Sequence, residues 1–182
     1  TSGAPAVTAV PTRLVIMRRL SALLEAVEYV NEAGDTVSMA DKVVRGRILL
    51  GDDIRPPLIS ILEAARPDPH SAFAGDQNDL RHDMWPILVQ GIVEDDLLNP
   101  TDSAYWMCAA VEKQLNKIIA TDGRTGDPLF PDYMDLGGLI SSLEILPPVV
   151  RPPEDKPSKR AFFFLPLRLG ISIGSDQPYT EV

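Results

Sequence analysis

The spacing of apolar and polar positions changes period several times along the chain, and each change marks an element. Leu14, Met17, Leu20, Leu24, Val27 and Val30 recur at steps of three and four, which places them on one face of a helix. Arg13, Arg18, Arg19, Glu25 and Glu28 fall mostly elsewhere, and Gly34 is positioned to end that helix. At 42–50, "KVVRGRILL", the period drops to two and predicts a strand carrying Arg45 and Arg47 on one face. "PLISILEAA", 57–65, reads as a second strand, and the intervening "GDDIRPP" predicts that the two pair antiparallel. Residues 66–83 form a polar excursion, expected as a long loop. A third strand follows in "MWPILVQGIVED", 84–95, with Pro86 near its start, where a missing N–H is tolerated.

Asn99, Pro100 and Asp102 together read as a helix start: a capping side chain, a residue with no N–H to satisfy, and a negative charge in the first turn. Ala104, Met107, Cys108, Val111, Leu115, Ile118 and Ile119 then make one apolar stripe, predicting a helix to about Thr121. A second loop is expected over 121–137 and a fourth strand over 138–146. Five prolines in 147–159 exclude helix and central strand. The last strand, 160–173, alternates Phe162 and Phe164 with Phe163, Leu165, Leu167 and Leu169, so it is apolar on both faces and needs cover on both.

The order α-β-β-β-α-β-β groups its helices and strands instead of alternating them. This favours an α+β fold, a mainly antiparallel sheet of about five strands packed by two helices. The chain divides into an N-terminal arm, 1–12, flexible or docked, a single domain, 13–173, and a polar C-terminal tail, 174–182. A length of 182 residues is enough for one real core.

A formal charge of −9 and a pI near 4.6 argue against gripping a phosphate backbone, which needs clustered Lys and Arg. No apolar run approaches the length of a membrane span. The N-terminus lacks a signal-peptide pattern, and a start at Thr1 fits loss of an initiator Met, so the expectation is a soluble protein made inside the cell. The single cysteine, Cys108, falls on the apolar stripe of the second helix and reads as a core residue.

Glu94, Asp95 and Asp96 are the sharpest candidates for chemistry. Three consecutive strand residues cannot all point the same way, and no His or Cys stands beside them at ligand spacing. They read better as a solvated strand end before a helix whose dipole favours acids. "DGRTGD" lacks the residues of a calcium loop or a P-loop, Gly137 and Gly138 precede a strand, and Ser141 and Ser142 lack a nucleophile elbow. His82, between Asp79 and Asp83, reads as a surface histidine in the loop. No catalytic residue, metal site or cofactor is therefore expected. Arg45 and Arg47 read either as an edge-strand charge row or as an ion-pairing row for a neighbour's acids. Trp85, Tyr105 and Trp106 are core or interface aromatics, and Trp106 sits one position off the apolar stripe.

Two stretches, "VVRGRILLGDDIRPPLISILEA" and "WPILVQGIVEDDLLNPTDSAYWMCAAVEKQLNKI", resemble the tail terminator proteins of long-tailed bacteriophages, also called tail completion or neck proteins. The resemblance spans about residues 13–121. It rests on element order, the "RGR" strand, the "W-P-x-L-x-Q-G" strand and the "NPTD-x-AY" helix start. It implies a virion structural subunit, assembled in the host cytoplasm and located in the tail neck. There it would form a homohexameric ring on the tail tube protein, below a stopper or connector protein. DNA would pass through the lumen without specific binding, and no membrane would be involved. Glu94, Asp95, Asp96, Arg45, Arg47, Trp106, Phe162 and Phe164 then become candidate subunit contacts. Size is compatible: a chain this long makes a sphere roughly 40 Å across, and six touching spheres leave a hole of about the same width. The alternatives are another joining protein, a stopper or head-completion subunit, a small magnesium-dependent hydrolase using Asp95, Asp96 and Asp102, and a plain cytosolic binding module.

Overall fold

The computed structural model of the chain describes residues 9–47, 55–63, 80–94, 96, 98–152, 160–174 and 177–181. Ten strands and three helices occur among the described residues, and the class is α+β with a mixed, mostly antiparallel sheet. The central pair is β6 (Leu80–Glu94) and β9 (Arg160–Gly174), antiparallel along their whole length. At about 3.4 Å per residue, these fifteen-residue strands run roughly 50 Å. β5 (Leu58–Glu63) flanks β6 and β4 (Val43–Arg45) forms the edge beyond it. On the other side β7 (Ser142–Ile145) and β8 (Val149–Arg151) lie in succession along β9.

Ile145 faces Leu167 and Val149 faces Phe164, so four steps on one strand match three on the other. The extra residue is a bulge at Pro147–Pro148, at the sheet edge, where prolines cost no central ladder bond. Pro86 and Pro166, by contrast, lie inside central strands. Pro166 turns its carbonyl toward Leu146, away from β6, so Pro166 opposite Leu88 is a pair that exchanges no backbone bonds. Antiparallel pairs alternate in this respect, so Pro86 opposite Arg168 is of the same type. Its missing N–H points to the β5 side, past Glu63, the last described residue of β5, which pairs with Ile87. Pro86 is therefore tolerated in mid-strand, not near a strand start as its sequence position implied.

Three further expectations change. The first helix, α1 (Thr12–Glu25), stops well before Gly34, and residues 28–38 form a hairpin of β2 (Glu28–Val30) and β3 (Thr36–Ser38). Asn31 closes the turn by accepting from the Asp35 N–H at 2.8 Å, and Gly34 supplies a φ of +87°. The helical step of Val27 and Val30 overlaps a turn signal, and the turn wins. Second, β4 and β5 pair in parallel, Val43 beside Ile59 and Arg45 beside Ile61. Residues 46–57 are long enough for the crossover that a parallel pair requires. Third, 80–83 belongs to β6, so His82 lies on a strand, and the strand expected over 42–50 ends at Arg45, with Gly46 at φ +71° and Arg47 beyond it; residues 48–50 and 66–79 lie outside the described residues. The first and last described strands also pair: β1 (Ala9–Pro11) runs antiparallel to β10 (Tyr179–Glu181), and the Thr12 and Thr180 hydroxyls are 2.7 Å apart.

One sheet face carries the helices. Ile59, Ile61, Trp85, Ile87, Val89, Phe163, Leu165, Leu167 and Leu169 point there and are buried. They meet Ile16, Leu20 and Leu24 of α1 and Ala104, Met107, Val111 and Leu115 of α2 (Asp102–Asn116). Buried Gln114 donates its side-chain amide to the Leu23 carbonyl at 2.9 Å, satisfying an acceptor that the end of α1 leaves free. Arg13 lies over the buried Trp85 ring at 5.0 Å.

The segment after α2 is ordered, not an open loop. Thr121 bridges Pro128, and Asp122 accepts from the Arg124 N–H. A single tight turn, α3 (Asp135–Gly138), then holds Asp135 and Leu136 at φ +48° and +50°. Left-handed backbone at a residue with a Cβ costs on the order of 1–3 kcal/mol. Burial of Leu136, and donation by Arg19 Nη1 to its carbonyl at 2.7 Å, hold the turn in place.

Candidate interaction surfaces

Two grooves and one sheet face collect most of the residues singled out above. The first groove, about 530 Å³, opens between the hairpin β2–β3, the end of β6 and the start of α2. Glu32, Glu94, Asp96 and Asp102 bring carboxylates to it, while Tyr29, Pro56, Pro57 and Trp106 supply apolar walls. None of the four acids takes part in an ion pair among the described residues. Trp106 is 45% exposed and neighbouring Tyr105 is 60% exposed, so both are surface aromatics. Burial pushes the Tyr29 phenol up, so it stays protonated and able to donate. Asp95 lies outside the described residues. No three His, Cys, Asp or Glu side chains among the described residues converge on a point where a metal ion would sit.

The α2 start differs from expectation. Its N-cap is Thr101, not Asn99, and no side chain caps it. Asn99 and Pro100 belong to the preceding turn, where the Asn99 carbonyl accepts from the Asp102 N–H at 3.2 Å. The Asn-Pro pair mimics a cap because both residues favour turns as strongly as helix starts. Asp102 does occupy the first turn. The contact that sequence reasoning missed is Ser103, whose hydroxyl donates to the Glu94 carbonyl at 2.7 Å and ties the helix to the end of β6. Asn99→Ala should therefore change stability by less than about 0.5 kcal/mol, whereas Ser103→Ala should cost about 1 kcal/mol. Urea midpoints of the two variants, compared with the parent, check the contrast.

The second groove is also about 530 Å³ and lies at the other end of α1. Arg45 and Glu63 line it beside Leu14, Met17, Ile61 and Leu62. Arg47 is exposed just beyond, and its carbonyl accepts from the buried Ser60 hydroxyl at 2.7 Å.

The sheet face away from the helices is apolar but only partly covered. Phe162, Phe164, Pro166 and Leu88 are half-buried there, Met84 is 50% exposed and Val149 46% exposed. The register puts Val149, Phe164 and Gln90 in one cross-strand row. The exposed Arg168–Glu144 pair, 3.3 Å apart, lies on this face and contributes little by itself. Both apolar faces of the last strand were legible from its alternation. Tyr29, Glu32, Leu14 and Met17 were not legible as groove residues, because distant segments bring them together.

Cys108 lies in the core, and its thiol is pushed up to about 12, first by burial and then by the nearby Glu112 carboxylate. An unfolded thiol ionises near pH 9, so above that pH the unfolded chain loses a proton that the folded chain keeps. Below pH 9 both states hold it and the thiol adds no pH dependence. Stability should therefore fall as pH rises from 9 toward 12, and Cys108→Ala should flatten that fall. Native protein at pH 8 should also react with a thiol reagent far more slowly than unfolded protein does.

Comparison with known proteins found no matching family model and no matching curated sequence.

Proposed function

We propose that this chain is a tail terminator of a long-tailed bacteriophage, a structural subunit that closes the tail tube as a homohexameric ring. The observation that carries the reading is the partly open apolar sheet face around Phe162 and Phe164, opposite the helical layer. Exposed contiguous apolar surface marks an interaction site, and a subunit that works only in an assembly has reason to keep one. The sequence resemblance over 13–121 supplies the identity of that assembly. The two grooves at opposite ends of α1 add a pair of unlike surfaces, which a ring of identical subunits requires. A charge of −9 per copy suits a conduit past which DNA slides without being held. The tube protein would bind on one side of the ring and a stopper or connector on the other, in the neck of the virion.

Disrupting the gene in the phage that carries it tests this function. A tube without its terminator keeps growing, so tails of uncontrolled length are expected. Tails of normal length that fail to join heads would assign the chain to a stopper instead. Unaltered particles would exclude both.

A further inference from the structure

We infer that the acidic groove at the start of α2 receives the Arg45 end of a second copy, so that subunits join head to tail along the direction of α1. This deepens the assembly reading above and rests on the chain binding itself. The first groove presents Glu32, Glu94, Asp96 and Asp102 beside the exposed Trp106, and none of these acids is neutralised by an ion pair among the described residues. The second presents Arg45 beside the apolar side chains of Leu14 and Met17; Glu63 lines the same groove but forms no ion pair with Arg45 among the described residues.

Position makes the match directional. Leu14 and Met17 belong to the first turns of α1, whereas Tyr29 and Asn31 of the acidic groove follow its last turn. Eight helical steps, from Met17 to the helix end at Glu25, separate the two grooves by roughly 12 Å. Complementary patches at opposite ends of one helix cannot meet within a subunit. They can meet between subunits, and the contact is then heterologous, the kind that closes into rings when the rotation per step allows. A Trp and a Tyr at the contact with acids around them fit a socket in which aromatics anchor and charges set the register.

The test is a charge swap read by light scattering, with circular dichroism to confirm that each variant folds. One variant carries Arg45→Glu. The other carries Glu32→Lys and Glu94→Lys, both at exposed positions. Each alone should raise the concentration needed for half-assembly by about tenfold or more, most strongly at low salt. Mixing the two should restore assembly, because each then offers the charge that the other has lost. Arg45→Glu assembling like the parent would overturn the contact, and so would folded variants that fail to rescue each other. A parent that stays monomeric up to millimolar concentration would overturn it too. The tail-length experiment is separate, since a terminator could close through its sheet faces alone.

Discussion

Gly91→Ala should cost about 3–5 kcal/mol, as much as deleting a buried aromatic ring outright. Gly91 lies opposite Phe163 in the central strand pair, and a Cβ at Gly91 would fall inside the fully buried Phe163 ring. Backbone preference points the other way. Gly91 does not adopt a positive φ, and replacing such a glycine by alanine ordinarily stabilises a protein by restricting its unfolded chain. The steric term is several times larger, so it decides the sign. With a total stability of about 5–15 kcal/mol, the variant should sit near the edge of folding. The cycle with Phe163→Ala sharpens the expectation. Once the ring is gone the added methyl meets nothing, so the double variant should be scarcely less stable than Phe163→Ala alone. Additive costs in denaturant unfolding would show that the ring and the glycine do not share this space.

Replacing Phe162 and Phe164 together by lysine should abolish self-assembly while leaving the subunit folded. Both side chains are half-buried on the sheet face away from the helices. Lysine can run its stem along that surface and keep its charge in water, so folding should lose only about 1–2 kcal/mol. In an assembly the same positions would be closed off by a neighbour. Two lost aromatic contacts of about 1.5–3 kcal/mol each, plus two buried charges, should raise the assembly concentration by more than about a hundredfold. Sedimentation across a dilution series measures the shift, and unfolding curves confirm the fold. An unchanged assembly curve would remove this face from the joint.

How much of this was legible in the sequence depends on the range of the interactions that set each feature. Short-range periodicity marked α2 and its stripe from Ala104 to Leu115, and the alternation of β9 exposed its two apolar faces. The α+β class followed from grouping alone. What failed depended on competition or on distant partners. Val27 and Val30 continue a helical step, but Asn31 and Gly34 make a better turn, so 28–38 folds back as a hairpin. The parallel pairing of β4 and β5 is a matter of strand direction, which the alternation of apolar and polar positions does not record. Asn99 and Pro100 look like a cap, yet the helix begins after them and is tied down by Ser103 instead. The acids at Glu94 and Asp96 were visible as a cluster, but their company was not. Glu32 and Tyr29 come from a hairpin about sixty residues earlier, and only the fold turns a charged strand end into a groove.

The most direct test of the account is electron microscopy of the purified protein, alone and after mixing with tail tubes, with class averages examined for rotational symmetry. A sixfold ring with a central opening of roughly 40 Å, free or seated on a tube end, is the predicted result. A particle that remains a monomer under both conditions, or a ring of any other symmetry, would contradict it.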